Sequence, residues 1–155
     1  MIKVLDRPAQ TIVGLAIRTR PMSAEIPALW PRFVARIPEI PAPVEPQVSY
    51  GVMQYHEGSP APLFYMAGVS VSYADRVPSG MESVVIAAGS YTVFRYPLSD
   101  LGRGFAEIFD RLLPSSGYQQ APGPFFERYD EAFDPGNPAS MVEIYLPVRG
   151  RAPAR

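Results

Sequence analysis

QTIVGLAIRTR, residues 10–20, followed by IPALWPRFVARI, residues 26–37, decides the fold. The first segment reads as a strand. In the second, Ile26, Leu29, Trp30, Phe33, Val34 and Ile37 recur at the spacing of an amphipathic helix. Ser23 is its expected cap, and Pro27 suits a first turn. Pro31 removes an amide donor from an interior turn, so the helix is expected to start late or to bend there. Residues 38–46 (PEIPAPVEP) form a loop. Residues 48–55 and 63–72 then read as two strands, joined by the turn HEGSP at 56–60.

The same order returns in the second half. Residues 81–96 (MESVVIAAGSYTVFRY) are extended and broken at Gly89. Leu101, Phe105, Ile108, Phe109 and Leu112 mark a second helix, with Ser99 as cap and Pro114 and Gly117 as its stop. Residues 125–130 are a strand, 134–138 a polar turn and 142–148 the last strand. The chain is therefore β-α-β-β written twice. Val52 corresponds to Glu127 at a separation of 75 (127 − 52), and Met66 to Ile144 at 78 (144 − 66). Leu29 corresponds to Ile108 at 79 (108 − 29). A near-constant offset marks an internal repeat. Two βαββ units that join their sheets give an α+β domain with both helices on one face. The groove between the halves is then a natural ligand site.

A length of 155 residues suits one domain, with its core at about residues 10–148. Hydrophobic residues are 47% and charged residues 19%, which is globular and somewhat poor in charge. The 19 prolines exceed twice the roughly 5% of average usage, and they are spread as turn and strand-end markers. Net charge is −1 and the pI about 5.8, with no basic stripe, which disfavours direct nucleic-acid binding. Lys3 is the only lysine, so imine chemistry on a buried lysine is not expected. The absence of cysteine excludes disulfides, thiol catalysis and thiolate metal sites. The single histidine, His56, falls in a turn, so neither a metal site nor a haem ligand is expected, and no cofactor is. No segment resembles a signal peptide or a membrane span, and no helix-turn-helix precedes the first strand; the expected location is the cytoplasm.

FFERYD, residues 125–130, carries the chemistry. Period two puts Phe125, Glu127 and Tyr129 on one face and Phe126, Arg128 and Asp130 on the other. The second face holds the charges, so the first is expected to point inward. A carboxylate among inward rings is costly to bury. It sits at a rim, pairs with an arginine, or serves a ligand or a reaction.

The chain resembles a stand-alone GyrI-like small-molecule-binding domain of the AraC-type effector-binding superfamily. The resemblance runs in order through Val13-Gly14-Leu15, Ile26–Trp30 (IPALW), Tyr50-Gly51-Val52 and Tyr65–Val69 (YMAGV). It continues through Ile86–Tyr91 (IAAGSY), Leu113–Tyr118 (LPSSGY), Phe126–Asp130 (FERYD) and Glu143–Val148 (EIYLPV). It implies two βαββ repeats around an aromatic cleft in which a central glutamate meets the ligand, here Glu127. Relatives fused to DNA-binding domains sense amphipathic, often cationic, aromatic compounds. Some stand-alone relatives resemble hydrolases that open cyclopropane-bearing toxins, and the resemblance also implies an interaction role such as inhibition of a topoisomerase. Pro97-Leu98, where relatives often carry glycine, departs from the pattern at the entrance to the second helix.

A carboxylate in an aromatic cleft can attract a ligand cation, with the rings adding cation–π attraction of roughly 0.5–2 kcal/mol each. It can equally act as a general acid or base once burial raises its pKa. Both readings use Glu127, with Trp30, Tyr50, Tyr65, Tyr91, Tyr129 and Tyr145 as the aromatic candidates. Trp30 is either core or cleft wall, and Tyr91 packs between helix and sheet or lines the cleft. The expected partner is a small hydrophobic or cationic aromatic ligand, and the expected state a monomer or weak homodimer.

Overall fold

The computed structural model describes residues 2–150. Within these residues nine strands and two main helices follow one another. They are β1 (Lys3–Arg7), β2 (Gln10–Thr19), α1 (Glu25–Val34), β3 (Ser49–Tyr55), β4 (Leu63–Val71) and β5 (Glu82–Ile86). Then come β6 (Gly89–Pro97), α2 (Leu101–Glu107), β7 (Tyr118–Gln120), β8 (Phe125–Tyr129) and β9 (Met141–Gly150). The fold is α+β, as expected. All strand pairings are antiparallel, in the order β1-β6-β9-β8-β3-β4-β2-β5, with β7 beside β9.

The two halves share their ladder register. Gly14 pairs with Gly68 and Thr92 with Leu146, so both members shift by 78 (92 − 14 and 146 − 68). Val52 pairs with Met66 and Glu127 with Ile144, the shifts being 75 and 78 (127 − 52 and 144 − 66). β3 and β8 lie side by side at the centre, with Gly51 facing Glu127. The outer strands are exchanged: β1 joins β6 of the second half, and β5 joins β2 of the first.

Three local expectations need correction. β1 precedes the first expected strand, because a short edge strand carries no clear alternation. α1 runs unbroken through Pro31 from Glu25; Ser23 supports its start by accepting the Glu25 N–H at 3.1 Å. Ser99 does not cap the second helix. A 3₁₀ turn, Leu98–Asp100, leads into α2, and Asp100 pairs with Arg103 at 3.0 Å. Beyond Glu107 the helix widens into a π turn, Ile108–Leu112, closed by Leu113 N–H on the Ile108 carbonyl at 2.9 Å.

The sheet lies between two apolar clusters. On the helix face, Leu29 and Phe33 of α1 and Ile108 beyond α2 pack on Val13, Leu15, Tyr65, Ala67, Ile144 and Leu146. Each such fully buried side chain contributes roughly 1.5–3 kcal/mol. On the other face, Tyr50, Met66, Phe126 and Tyr145 form a second cluster. Every residue of β4 is therefore buried, although the strand belongs to an antiparallel sheet. The far face of β8 was expected to be solvated. Instead Phe126 is fully buried, and Arg128 is tied to Glu45 at 3.0 Å and Glu143 at 3.1 Å.

Gly104 lets α2 lie against β6. A Cβ there would stand 2.6 Å from the Tyr96 ring, whose hydroxyl donates to Glu107 at 2.6 Å. Gly104→Ala gains about 1 kcal/mol of helix propensity. It also overpacks against a ring face that cannot swing aside, at about 1–3 kcal/mol. The second effect wins, so urea denaturation should show a net loss of stability; an unchanged or higher midpoint would show that α2 can shift freely. Among the described residues no helix is long and apolar enough to cross a membrane.

Candidate functional site

A cleft of about 600 Å³ opens on the helix face of the sheet. β3, β4 and β8 supply its floor through Met53, Tyr65, Phe125 and Glu127; Ile26 and Pro27 of α1 and Leu101, Phe105 and Phe109 of the second helix supply its walls. Phe105 and Phe109 stand one helical turn apart and both meet the Phe125 ring edge-on, at centroid distances of 6.5 and 6.0 Å. Tyr55 stacks on Phe125 at 5.9 Å and 23° and stays half exposed at the mouth.

Among the described residues Glu127 is the one charged side chain lining this space, and it is 5% exposed. Its Oε1 accepts the Tyr65 hydroxyl at 2.8 Å and the Tyr129 hydroxyl at 2.8 Å. Trp30 Nε1 donates to the Tyr65 oxygen at 3.0 Å, and its ring meets Tyr129 edge-on at 5.1 Å. Tyr65 lies on β4, two strands from Glu127, so its hydroxyl must cross β3. It does so over Gly51, where a side chain would occupy the space of both the Tyr65 hydroxyl and Glu127 Oε1.

Both hydrogen-bond partners of Glu127 are neutral phenols. Among the described residues no cation reaches it as an ion pair. Burial raises its pKa above the usual carboxylate range, and the two phenol donors oppose the shift without cancelling it. Burial, and then the charge of Glu127, hold Tyr65 well above its ordinary value, and the same two causes act on Tyr129. Both therefore stay protonated and donate. Among the described residues the Glu127 carboxyl meets only hydroxyl dipoles, and it is open on one side to an apolar aromatic space.

The structure brings together Glu127, Tyr65, Tyr129 and Trp30, four of the seven expected residues. Tyr65 and Glu127 line the cleft; Trp30 and Tyr129 stand behind them as support. Tyr50, Tyr91 and Tyr145 are a correction, because they lie on the opposite face of the sheet. Tyr50 donates to Glu45 at 2.6 Å, Tyr91 to the Ala87 carbonyl at 2.6 Å and Tyr145 to Glu143 at 3.4 Å. Their parity along the strands is opposite to that of Glu127. Met53, Tyr55, Phe105, Phe109 and Phe125 line the cleft and were not among the expected ligand residues, although Phe125 was placed on the face of Glu127 and Phe105 and Phe109 on the second helix. For these three, that place beside Glu127 and on the second helix was the signal that they line the cleft. His56 is exposed in its turn, and among the described residues no three metal-ligating side chains cluster.

Fold and cleft together are those of a small-molecule-binding domain. The chain belongs to the GyrI-like small molecule binding domain family, whose model matches residues 1–149. It is 32% identical over 149 residues to the transcriptional regulator BrlR of Pseudomonas aeruginosa, covering 94% of this chain and 54% of the relative. The chain thus spans about half the length of that relative. A putative bacterial transcription regulation protein from Staphylococcus aureus MU50 shares the fold at a TM-score of 0.73 and 17% identity, over 97% of this chain and 99% of that one. SAV2435 bound to tetraphenylphosphonium is similar at a TM-score of 0.73 and 17% identity, over 97% of this chain and 94% of that one.

Proposed function

We propose that the chain captures small hydrophobic cations bearing aromatic groups, with the Glu127 carboxylate as their counter-charge, so that their presence can be sensed or their free concentration lowered. One observation carries the reading: a buried carboxylate with two neutral donors and, among the described residues, no cation paired to it faces an aromatic cleft. A charge left in that state is expensive, and an organic cation removes the expense while burying its rings against Phe105, Phe109 and Phe125. The likeness to a protein bound to tetraphenylphosphonium supports the ligand class, and the relative named as a transcriptional regulator supports a sensing role.

The test is a titration with tetraphenylphosphonium. Trp30, the single tryptophan, donates to Tyr65 and reports on the site by its fluorescence. Saturable quenching with one site per chain supports the reading; no binding of this or other lipophilic cations at millimolar concentration would end it. The pH dependence has a definite sign. Glu127 starts with a raised pKa, and a bound cation favours its ionised form, so binding expels a proton below that pKa. Affinity should be full above the free-protein pKa and fall by about tenfold per pH unit below it. Calorimetry in buffers of different ionisation enthalpy would detect the released proton, and a flat profile from pH 4 to 8 would contradict the role.

The raised Glu127 carboxyl favours one second reading, a hydrolase for reactive strained-ring electrophiles with Glu127 as general acid or base and the phenols holding the substrate or water. Turnover with a sigmoid or bell-shaped pH profile, lost in Glu127→Gln, separates it from capture alone.

A further inference from the structure

Met22 holds an improbable position. It is apolar yet 81% exposed, and its φ is 64°, in the left-handed region that non-glycine residues seldom occupy. The turn Arg20–Pro21–Met22–Ser23 is closed by Ser23 N–H on the Arg20 carbonyl at 3.2 Å. Proline in second place and positive φ in third make it a type II turn, whose third position ordinarily belongs to glycine or asparagine. Neither packing nor backbone preference explains methionine there. Strain retained at the edge of a binding cleft points to a use for the side chain.

The side chain has a partner across the mouth. Met22 belongs to the turn between β2 and α1, and Gly102 to α2 in the other half; both line the cleft. A Cβ on Gly102 would lie 3.0 Å from Met22 Cε and 3.9 Å from Sδ. The thioether end thus lies over bare helix backbone, and a side chain at position 102 would press it outward. Among the described residues the rest of the side chain meets solvent, so little holds it closed.

We propose that Met22 is the latch of this cleft: hinged on the type II turn and seated on Gly102, it closes over the aromatic body of a bound organic cation and sets how long, and how large, a ligand is held. The inference rests on the capture reading given above. A flexible, polarisable thioether suits the task, since it adapts to rings of different shape and attracts them through sulfur. With Met22 81% exposed, little fixes the tip in place, so its open and closed positions differ little in free energy.

Stopped-flow measurement of tetraphenylphosphonium release from the 155-residue chain, followed by Trp30 fluorescence, tests it. Met22→Gly should release the ligand about tenfold faster, the loss expected for a strong sulfur–aromatic contact. Its Tm should be equal or higher, because glycine accepts the turn without strain. Met22→Leu, which keeps apolar bulk but lacks the sulfur, should restore only part of the slow release. Gly102→Ala should unseat the methyl group and speed release too, but add nothing in a Met22→Gly background. Unchanged release from Met22→Gly, or fast release only together with a lower Tm, overturns the latch while leaving capture intact. No binding by the unaltered chain overturns capture and latch together.

Discussion

Glu127→Gln should weaken tetraphenylphosphonium binding by at least about thirtyfold, since losing one member of a buried charge pair costs about 2 kcal/mol or more. The substitution is nearly isosteric, and an amide oxygen still accepts the Tyr65 and Tyr129 hydroxyls. What disappears is the charge. For that reason stability should move the other way. A carboxyl whose folded-state pKa is raised contributes stability that is full below its unfolded pKa and lost as pH rises through the folded value. At pH 7, above the unfolded-state pKa, burying Glu127 is therefore a burden on the fold, and the glutamine variant should melt at an equal or higher temperature. Binding lost while stability is kept or gained would identify Glu127 as a residue held for its ligand. A lower Tm at pH 7 would mean that the carboxylate holds the fold together instead.

Gly51→Ala should damage fold and site at once. The added methyl group would overlap Glu127 Oε1 and the Tyr65 hydroxyl and stand 3.0 Å from Tyr65 Cζ. Tyr65 cannot simply move away, because its ring is buried in the helix-face core and its oxygen is held by Trp30. Overpacking of this kind costs about 1–3 kcal/mol, which denaturation at pH 7 would register. The displaced carboxylate should lower cation affinity by about tenfold or more, on the scale of a weakened charge contact. Adding Tyr65→Phe removes one of the two clashing atoms, so the double variant should recover part of the lost stability. If Gly51→Ala matches the parent in both stability and affinity, the Glu127–Tyr65 pair is not where this geometry puts it.

Much of this was legible in the sequence, for definite reasons. Leu29 and Phe33 in α1, and Ile108 in the second helix, repeat at helical spacing because they cover one face of the sheet. Glu127 stood out because period two fixes which residues accompany it, and Tyr129 came with it for the same reason. Register was not legible. Tyr65 meets Glu127 only because β3 lies between their strands with a glycine at the crossing point. Tyr145 misses the site because Ile144, not Tyr145, pairs with Glu127. Tyr50 points away because its neighbour Gly51 takes the inward position. β1 and β7 escaped notice because edge strands of five and three residues depend on partners distant in sequence. The second core hid for another reason: Phe126 and Arg128 look like an outer face until Glu45, in the loop after α1, is seen to come back over Arg128.

The measurement that bears most directly on the function is a charge-by-residue cycle. Tetraphenylphosphonium and the neutral triphenylphosphine oxide would each be titrated into the parent chain and into Glu127→Gln. If Glu127 is the counter-charge, the parent prefers the cation, and that preference collapses in the variant while neutral-ligand affinity barely changes. The same cation preference in both proteins would contradict the assignment and leave Glu127 as a structural carboxylate beside an aromatic cleft.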